Sequence, residues 1–540
     1  MKRLCAVLIE EWPKKNSKYI ASILNAWNST GVETCLVSRD WGIGLRLGQH
    51  TEQSLAQTVG FARAGKFDEL ILMTDALMGP VFPLKDLLAR IDTCKEPVWQ
   101  LVKGAAMFGL PAKHWDLLER CSSLSDVAGL CETEDLPMAE LFDTSDLKEV
   151  TNVPLLDKPL LLVRDRKCPF FQHEVFHRDY SDVITTTLGH QGQIFYEWLY
   201  RKSGWDVDLL WDYLLPTYHQ QEYFRNMHLN YVLPTKGSDR VWLEKHMQDH
   251  KLALVMHLYY PDKLAESCSF AERFPQYTHV IITTSDEQKK EKILEAFSGS
   301  KFASLDVRVI ANRGRDVSSL LVGAAEVFDQ YDYVCFFHDK KTLQTKPGSI
   351  GAGFAYRLQE NLFATSDYVC NMIRLFAENH RLGMVSPPAP HHGDYFFTLA
   401  TDWGPNYEKT KELARTLGFH APIAENQMPI TALGTCFWFR GKALKPLSDH
   451  HWKYEEFPPE PNNADGTILH AIERIYSFAC VEAGYYPAFA MSDRYAKLEY
   501  SSLRYYVREF NQVCISHGIL SYHKNMCAEL SKCLSGEKRG

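Results

Sequence analysis

Four short apolar segments alternate with three helical ones between residues 252 and 337, and this order constrains the fold more than any other feature of the sequence. LALVMHLYY (252–260), THVIITTS (278–285), DVRVIAN (306–312) and YDYVCFF (331–337) have the length and apolar density of buried strands. DKLAESCSFAERF, DEQKKEKILEAF and VSSLLVGAAEVFDQ between them predict helices, with loops of ordinary short length. Strand–helix alternation of this kind predicts an α/β layer, a parallel-rich sheet covered by helices. In open sheets of this type ligands sit beyond the carboxyl ends of the strands. The stretches to inspect are therefore His257 to Asp262, Thr283 to Asp286, Asn312 to Asp316 and His338 to Lys341.

The chain of 540 residues is too long for one ordinary core. Residues 1–130 alternate strand and helix signals and predict a smaller α/β domain; LCAVLI, ETCLVSR and DELILMT are its strand candidates. From 131 to 245 the signal weakens into acidic and aromatic-rich segments that predict a mostly helical connector. The second α/β unit is expected over 246–505, with a helical tail at 506–540. A formal net charge of -8 gives no general attraction to nucleic acid. No run of about 18 apolar residues is present, and Glu10 and Glu11 cut short the apolar N-terminal segment. The 14 cysteines form no CxxC pair, which fits a reduced, cytoplasmic protein. Cys335 and Cys436 lie within apolar runs and are expected in the core.

Two strand ends carry chemistry. In NRGRDV, Asn312 to Val317, Gly314 gives the freedom for a tight turn, and Arg313 and Arg315 offer planar forks suited to diphosphate oxygens. Asp316 can cap the next helix or accept hydrogen bonds from a sugar or base. The plainer reading is a helix cap with two solvated arginines. At the end of the fourth strand, His338, Asp339, Lys340 and Lys341 arrive together: the lysines can neutralise a leaving diphosphate, while His338 and Asp339 can orient a sugar or a metal. The pairs His391-His392 and His450-His451 lack a spaced partner and read as surface loop, and Asp75 ends a strand with no basic partner after it.

The segments MHLYYPD, NRGRD, YDYVCFFHDKK, GTCFWFRGKALKPL and ADGTILHAIER, in this order, resemble the rhamnan synthesis protein F family, and DELILMTDALMGPVFPL resembles its first domain. The resemblance implies a bacterial glycosyltransferase that adds L-rhamnose, from dTDP-L-rhamnose, to a growing surface polysaccharide. It implies a nucleotide-sugar donor and a lipid-linked or polymeric glycan acceptor, with contact at the inner face of the cell membrane through such an acceptor. The second half looks like a GT-A nucleotide-sugar transferase. The donor would lie against His257, Asp262, Asn312, Arg313, Gly314, Arg315, Asp316, His338, Asp339, Lys340 and Lys341. Gly434 and Trp438 would shape the acceptor side. GT-A enzymes normally carry Asp-x-Asp where this chain has HDKK, so no cofactor is expected, and Asp339 is the residue to hold magnesium or manganese if one is used. The base is expected at Asp465, with Glu460 second; a helix N-cap is the competing role for Asp465. The competing function is a non-catalytic carbohydrate-binding or assembly subunit on a degenerate transferase fold. A dinucleotide-dependent dehydrogenase is excluded by the lack of GxGxxG after the first strand of either unit.

Overall fold

The structure is a computed structural model and describes residues 1–9, 17–38, 55–104, 107–121, 124–147, 153–178, 190–339, 348–389, 403–462 and 465–516. It is mixed α/β and divides into two compact units, one of residues 1–218 with 225–227 and one of 219–224 with 228–540.

The first unit contains β1 (Arg3–Ile9), β2 (Glu33–Ser38), β3 (Glu69–Thr74), β4 (Leu77–Met78), β5 (Val98–Gln100), β6 (Met107–Pro111), β7 (Met138–Glu140) and β8 (Phe171–Gln172). Six of these form one sheet in the order β2-β1-β3-β6-β5-β7, and β4 pairs with β8. The apolar runs at LCAVLI and ELILMT are buried along their length apart from half-buried Leu8, as strands covered on both faces must be. Asp75 follows β3 and is 3% exposed.

The second unit holds β9 (Asn230–Leu233), β10 (Leu252–His257), β11 (His279–Thr284), β12 (Ser304–Val309), β13 (Tyr333–His338), β14 (Leu382–Ser386), β15 (Phe437–Phe439) and β16 (Tyr486–Ser492) in an eight-stranded sheet. Its order is β12-β11-β10-β13-β15-β14-β16-β9. The first four strands are mutually parallel, as the alternation predicts. β15 then enters antiparallel between β13 and β14, and β16 and β9 extend the sheet in parallel.

The stretch expected to be a helical connector supplies an edge strand to each sheet, β7 to the first and β9 to the second. These strands are three and four residues long and only partly buried, so neither produces an apolar run. Likewise, one helix, Asp493–Ser516, runs through the boundary expected near 505.

The central strands of the second sheet form a core worth roughly 1.5–3 kcal/mol per large apolar side chain. Cys335 and Cys436 are fully buried in it, and the described cysteines are all free. Among the described residues no helix is long and apolar enough to cross a membrane.

Candidate active site at the carboxyl edge of the second sheet

β10 and β13 lie side by side in a register that pairs His257 with His338, so both strands deliver an imidazole to the same edge. His257 Nδ1 lies 2.8 Å from Thr283 Oγ1, which in turn is 2.6 Å from Ser319 Oγ. Burial lowers the His257 pKa to about 4, against the pull of Asp316 and with the help of His338 and Lys289. His338 Nε2 donates to the Gly434 carbonyl at 2.8 Å, and its Nδ1 lies 3.2 Å from the Asp339 carbonyl. Only an imidazolium can donate to both.

Asp316 comes to these rings from the β12 end. The turn is made by Gly314 at φ +85°, where a Cβ would meet Phe457 Cγ at 2.8 Å. Gly314, not Asp316, is the N-cap of the short helix Arg315–Ser318, and Asp316 stands in its first turn. Burial works to raise the Asp316 carboxyl, but the charge of His338, a hydrogen bond from Thr435 and the charge of His257 outweigh it and hold it below the usual range.

Asp339 is occupied elsewhere. Its carboxylate accepts from Tyr259 N at 2.9 and 3.0 Å and from Tyr260 N at 2.7 Å, which ties the loop after β10 to the end of β13. Burial raises its pKa, more than these N–H groups and His338 lower it, and Asp262 adds to the rise. A carboxylate spent on three backbone bonds does not fit the metal-holding role. Among the described residues no group of three or more His, Cys, Asp or Glu is arranged to hold a metal ion. Asp262 lies in the exposed turn Pro261–Lys263, and Asn312 is exposed.

The two arginines of NRGRD face a loop of their own chain. Arg313 Nε donates to Phe457 O at 2.5 Å and Nη2 to Glu455 O at 2.9 Å. Arg315 pairs with Glu460 and donates to Asn462 O at 3.1 Å. Loop 455–462, which leads to Asp465, is thus pinned to the NRGRD turn. Asp465 Oδ1 accepts from Asn406 Nδ2 at 2.9 Å and from Gly466 N at 2.7 Å, and His470 Nδ1 lies 3.9 Å away. Burial would raise its carboxyl, but these partners and Arg474 leave it below the ordinary range. The helix Ile468–Glu482 is capped at Thr467, so Asp465 is not its N-cap. Half of the Asp465 side chain is exposed.

Gly434 stands at the site through its carbonyl bond to His338. Trp438 does not: it is fully buried in β15, donates to Leu362 O at 2.9 Å and stacks on Phe274. Lys340, Lys341 and the pair His391-His392 lie outside the described residues.

Sequence reading missed several contributors. Lys289 Nζ sits 3.6 Å over the Tyr259 ring and acts on His257. Thr435 and Glu473 meet beside the Gly434 carbonyl that holds His338, with Glu473 Oε2 accepting from Gly434 N at 2.9 Å and Thr435 Oγ1 at 3.1 Å. Glu473 sits inside ADGTILHAIER with no spacing signal of its own, and only the folded sheet brings it to the strand ends.

A family model described as rhamnan synthesis protein F matches residues 134–485, well over half the chain and including every site residue above. The chain belongs to the rhamnan synthesis protein F family. The family match starts after the first α/β segment, so the likeness of DELILMTDALMGPVFPL lies outside it, while the stretch from 134 to 240, whose motifs are weakest, lies within. Two curated relatives, both named Uncharacterized protein WxcX, come from two strains of Xanthomonas campestris pv. campestris; each is 28% identical over 235 residues, 43% of this chain. The match spans only 32% of those relatives' length. Among solved structures, the glycosyltransferase GlyE of Streptococcus pneumoniae TIGR4 aligns at 12% identity over 65% of this chain and 90% of its own, with a TM-score of 0.18. Its apo form gives 13% identity, 66% and 90% coverage and a TM-score of 0.20. Superpositions this weak carry no argument.

Proposed function

We propose that this protein transfers L-rhamnose from a nucleotide-sugar donor, dTDP-L-rhamnose, to a growing bacterial surface polysaccharide on a GT-A-like second unit. The observation that carries the reading is the convergence of His257, Asp316 and His338 at the carboxyl edge of the second sheet, inside the region that matches the family. A cluster of two imidazoles and a low-pKa carboxylate suits the hydroxyls of a bound sugar. Charge on the departing diphosphate would be met by Lys289, Lys340 and Lys341 rather than by a metal, since the only acidic residue of HDKK is committed to the backbone. Asp465 is the base: a carboxylate fixed by Asn406 and Gly466 yet half exposed can take the acceptor hydroxyl proton.

The competing reading is a carbohydrate-binding subunit. Calorimetry with dTDP separates the two, because a transferase binds the nucleoside diphosphate and a glycan-binding subunit has no need to. Binding that weakens tenfold or more in Lys289→Ala, about 1.4 kcal/mol, is the expected result. No heat of binding at millimolar dTDP would refute the donor assignment.

A further inference from the structure

The helix Asp493–Ser516 carries eight of the sixteen large apolar side chains that stand exposed among the described residues. Its first turns are anchored. Asp493 Oδ1 accepts from Thr235 N at 3.1 Å, Arg494 pairs with Glu360, Ser492 Oγ accepts from Tyr495 N at 3.0 Å, and Tyr495 and Glu499 are buried. From Arg504 on, Glu509, Asn511 and Cys514 are the only positions of the helix that are not exposed. Tyr506 is 39% exposed, Phe510 48% and Val513 58%. A contiguous apolar surface left in water marks a contact with a membrane or with another protein.

The charged residues favour the membrane. On a helix, residues three, four and seven apart share a face. Leu503, Tyr506, Val507, Phe510 and Val513 follow that spacing and form an apolar stripe. Lys497, Arg504 and Arg508, seven and four apart, form a basic row on its flank, where Arg504 Nη1 lies 3.4 Å from the Tyr500 hydroxyl. The acidic residues of the helix do not offset this row: Asp493 is taken by Thr235 N, Glu499 is buried, and Glu509 pairs with Arg508. On a chain of net charge -8 the row is a local concentration of positive charge. An apolar stripe beside a basic row, with the rings of Tyr500, Tyr505 and Tyr506 exposed, suits a helix lying in the interface of an anionic bilayer. The helix also starts at a telling place. β13 and β14 are both antiparallel to β15, and β16 is parallel to β14. The carboxyl end of β16, where the helix begins, therefore lies at the same sheet edge as His257 and His338. The family match ends at residue 485, before this helix.

We propose that this helix docks on an anionic lipid surface, with its apolar stripe entering the headgroup boundary and Lys497, Arg504 and Arg508 meeting lipid phosphates. Such binding needs no turnover, so the proposal stands apart from the transferase reading. Where both hold, docking brings the carboxyl edge of the second sheet to the surface that carries a lipid-linked acceptor.

The test is sedimentation of the whole chain with vesicles of equal parts phosphatidylglycerol and phosphatidylethanolamine, beside vesicles of phosphatidylcholine. The anionic vesicles should carry down most of the protein at low salt and the phosphatidylcholine vesicles far less, a contrast that high salt should erase. Phe510→Gln with Val513→Gln removes two apolar anchors, keeps helix propensity and should lower the partition coefficient about tenfold or more. Lys497→Gln with Arg504→Gln should lower it about twentyfold, since each basic residue near an anionic surface is worth roughly fivefold. All four positions are exposed, so both variants should melt like wild type and bind dTDP with unchanged affinity, which ties the loss to the surface. Wild-type protein left in the supernatant with anionic vesicles overturns the proposal, and so do variants that sediment like wild type. A wild-type dimer in solution that Phe510→Gln with Val513→Gln splits into monomers would assign the stripe to a second copy of the chain and overturn it as well. Failure of transfer in the donor assay would leave vesicle binding untouched, and loss of vesicle binding would leave transfer to a soluble acceptor untouched.

Discussion

Arg315 and Glu460 meet in a two-pronged ion pair, Nε to Oε1 at 2.8 Å and Nη2 to Oε2 at 3.2 Å. Both are candidate functional residues in the sequence, one for the donor diphosphate and the other for the acceptor proton, and the fold joins them to each other. With side chains 39% and 26% exposed, the pair is screened by solvent and worth no more than about 1 kcal/mol. Its consequence is geometric, because it fixes loop 455–462 against the NRGRD turn. Arg315→Ala and Glu460→Gln should therefore have similar, non-additive effects on turnover, measured as a double-mutant cycle. Additive losses would show that the two residues act separately.

Asp339→Ala tests the assignment of that carboxylate to the backbone. Removing it leaves the Tyr259 and Tyr260 N–H groups without their acceptor, at a cost of about 1–3 kcal/mol. Thermal or denaturant unfolding should show this loss with and without EDTA. Wild-type turnover should also survive chelation. Loss of activity in EDTA, restored by magnesium or manganese, would return Asp339 to the role of metal ligand.

Acid should weaken the fold over a defined window. Burial lowers His257 and His219 to about 4 in the second unit, and His173 and His177 to about 3 and about 4 in the first. Each takes up a proton in the unfolded chain near pH 6.5 but resists it when folded. Stability is thus fully present above about 6.5 and falls as pH drops toward 4, by up to a few kcal/mol per unit. Urea melts at pH 7.5, 6 and 5 should show a progressive fall in midpoint. A midpoint unchanged to pH 5 would mean these rings accept protons in the native state.

The first four strands of the second sheet were legible because each is an apolar run of ordinary length, with a helix between it and the next. β9 was not, and for β15 the apolar run around Cys436 shows a strand but neither its direction nor its place in the sheet. Phe437–Phe439 is short and its antiparallel insertion between β13 and β14 leaves no periodic trace. Asn230–Leu233 alternates exposed and half-buried positions at the sheet edge. For the site, position at a strand end identified His257, Asp316 and His338. Residue type alone misassigned the surroundings of others: Trp438 has the look of a sugar platform but fills the core, and Arg313 is chemically fit for phosphate but binds carbonyls of the loop. Glu473 was illegible because its partners are 38 and 39 residues away in sequence.

Asp465→Asn separates catalysis from structure. Thr467, not Asp465, holds the N-cap position of the helix, and an asparagine keeps an oxygen for Gly466 N, so the variant should melt like wild type and bind dTDP normally. Turnover should drop about a hundredfold or more, the usual worth of a general base. Near-normal turnover would move the search for the base elsewhere.

The central claim is the transfer itself, and one assay addresses it. Purified protein is incubated with dTDP-L-rhamnose, and in parallel with other nucleotide sugars, beside a rhamnose-containing oligosaccharide acceptor, and products are followed by mass spectrometry. The expected result is release of dTDP together with an acceptor heavier by one deoxyhexose, with the other donors turned over far more slowly. An acceptor that stays unextended with every donor, while the folded protein still binds the glycan, would contradict it and leave a carbohydrate-binding subunit in its place.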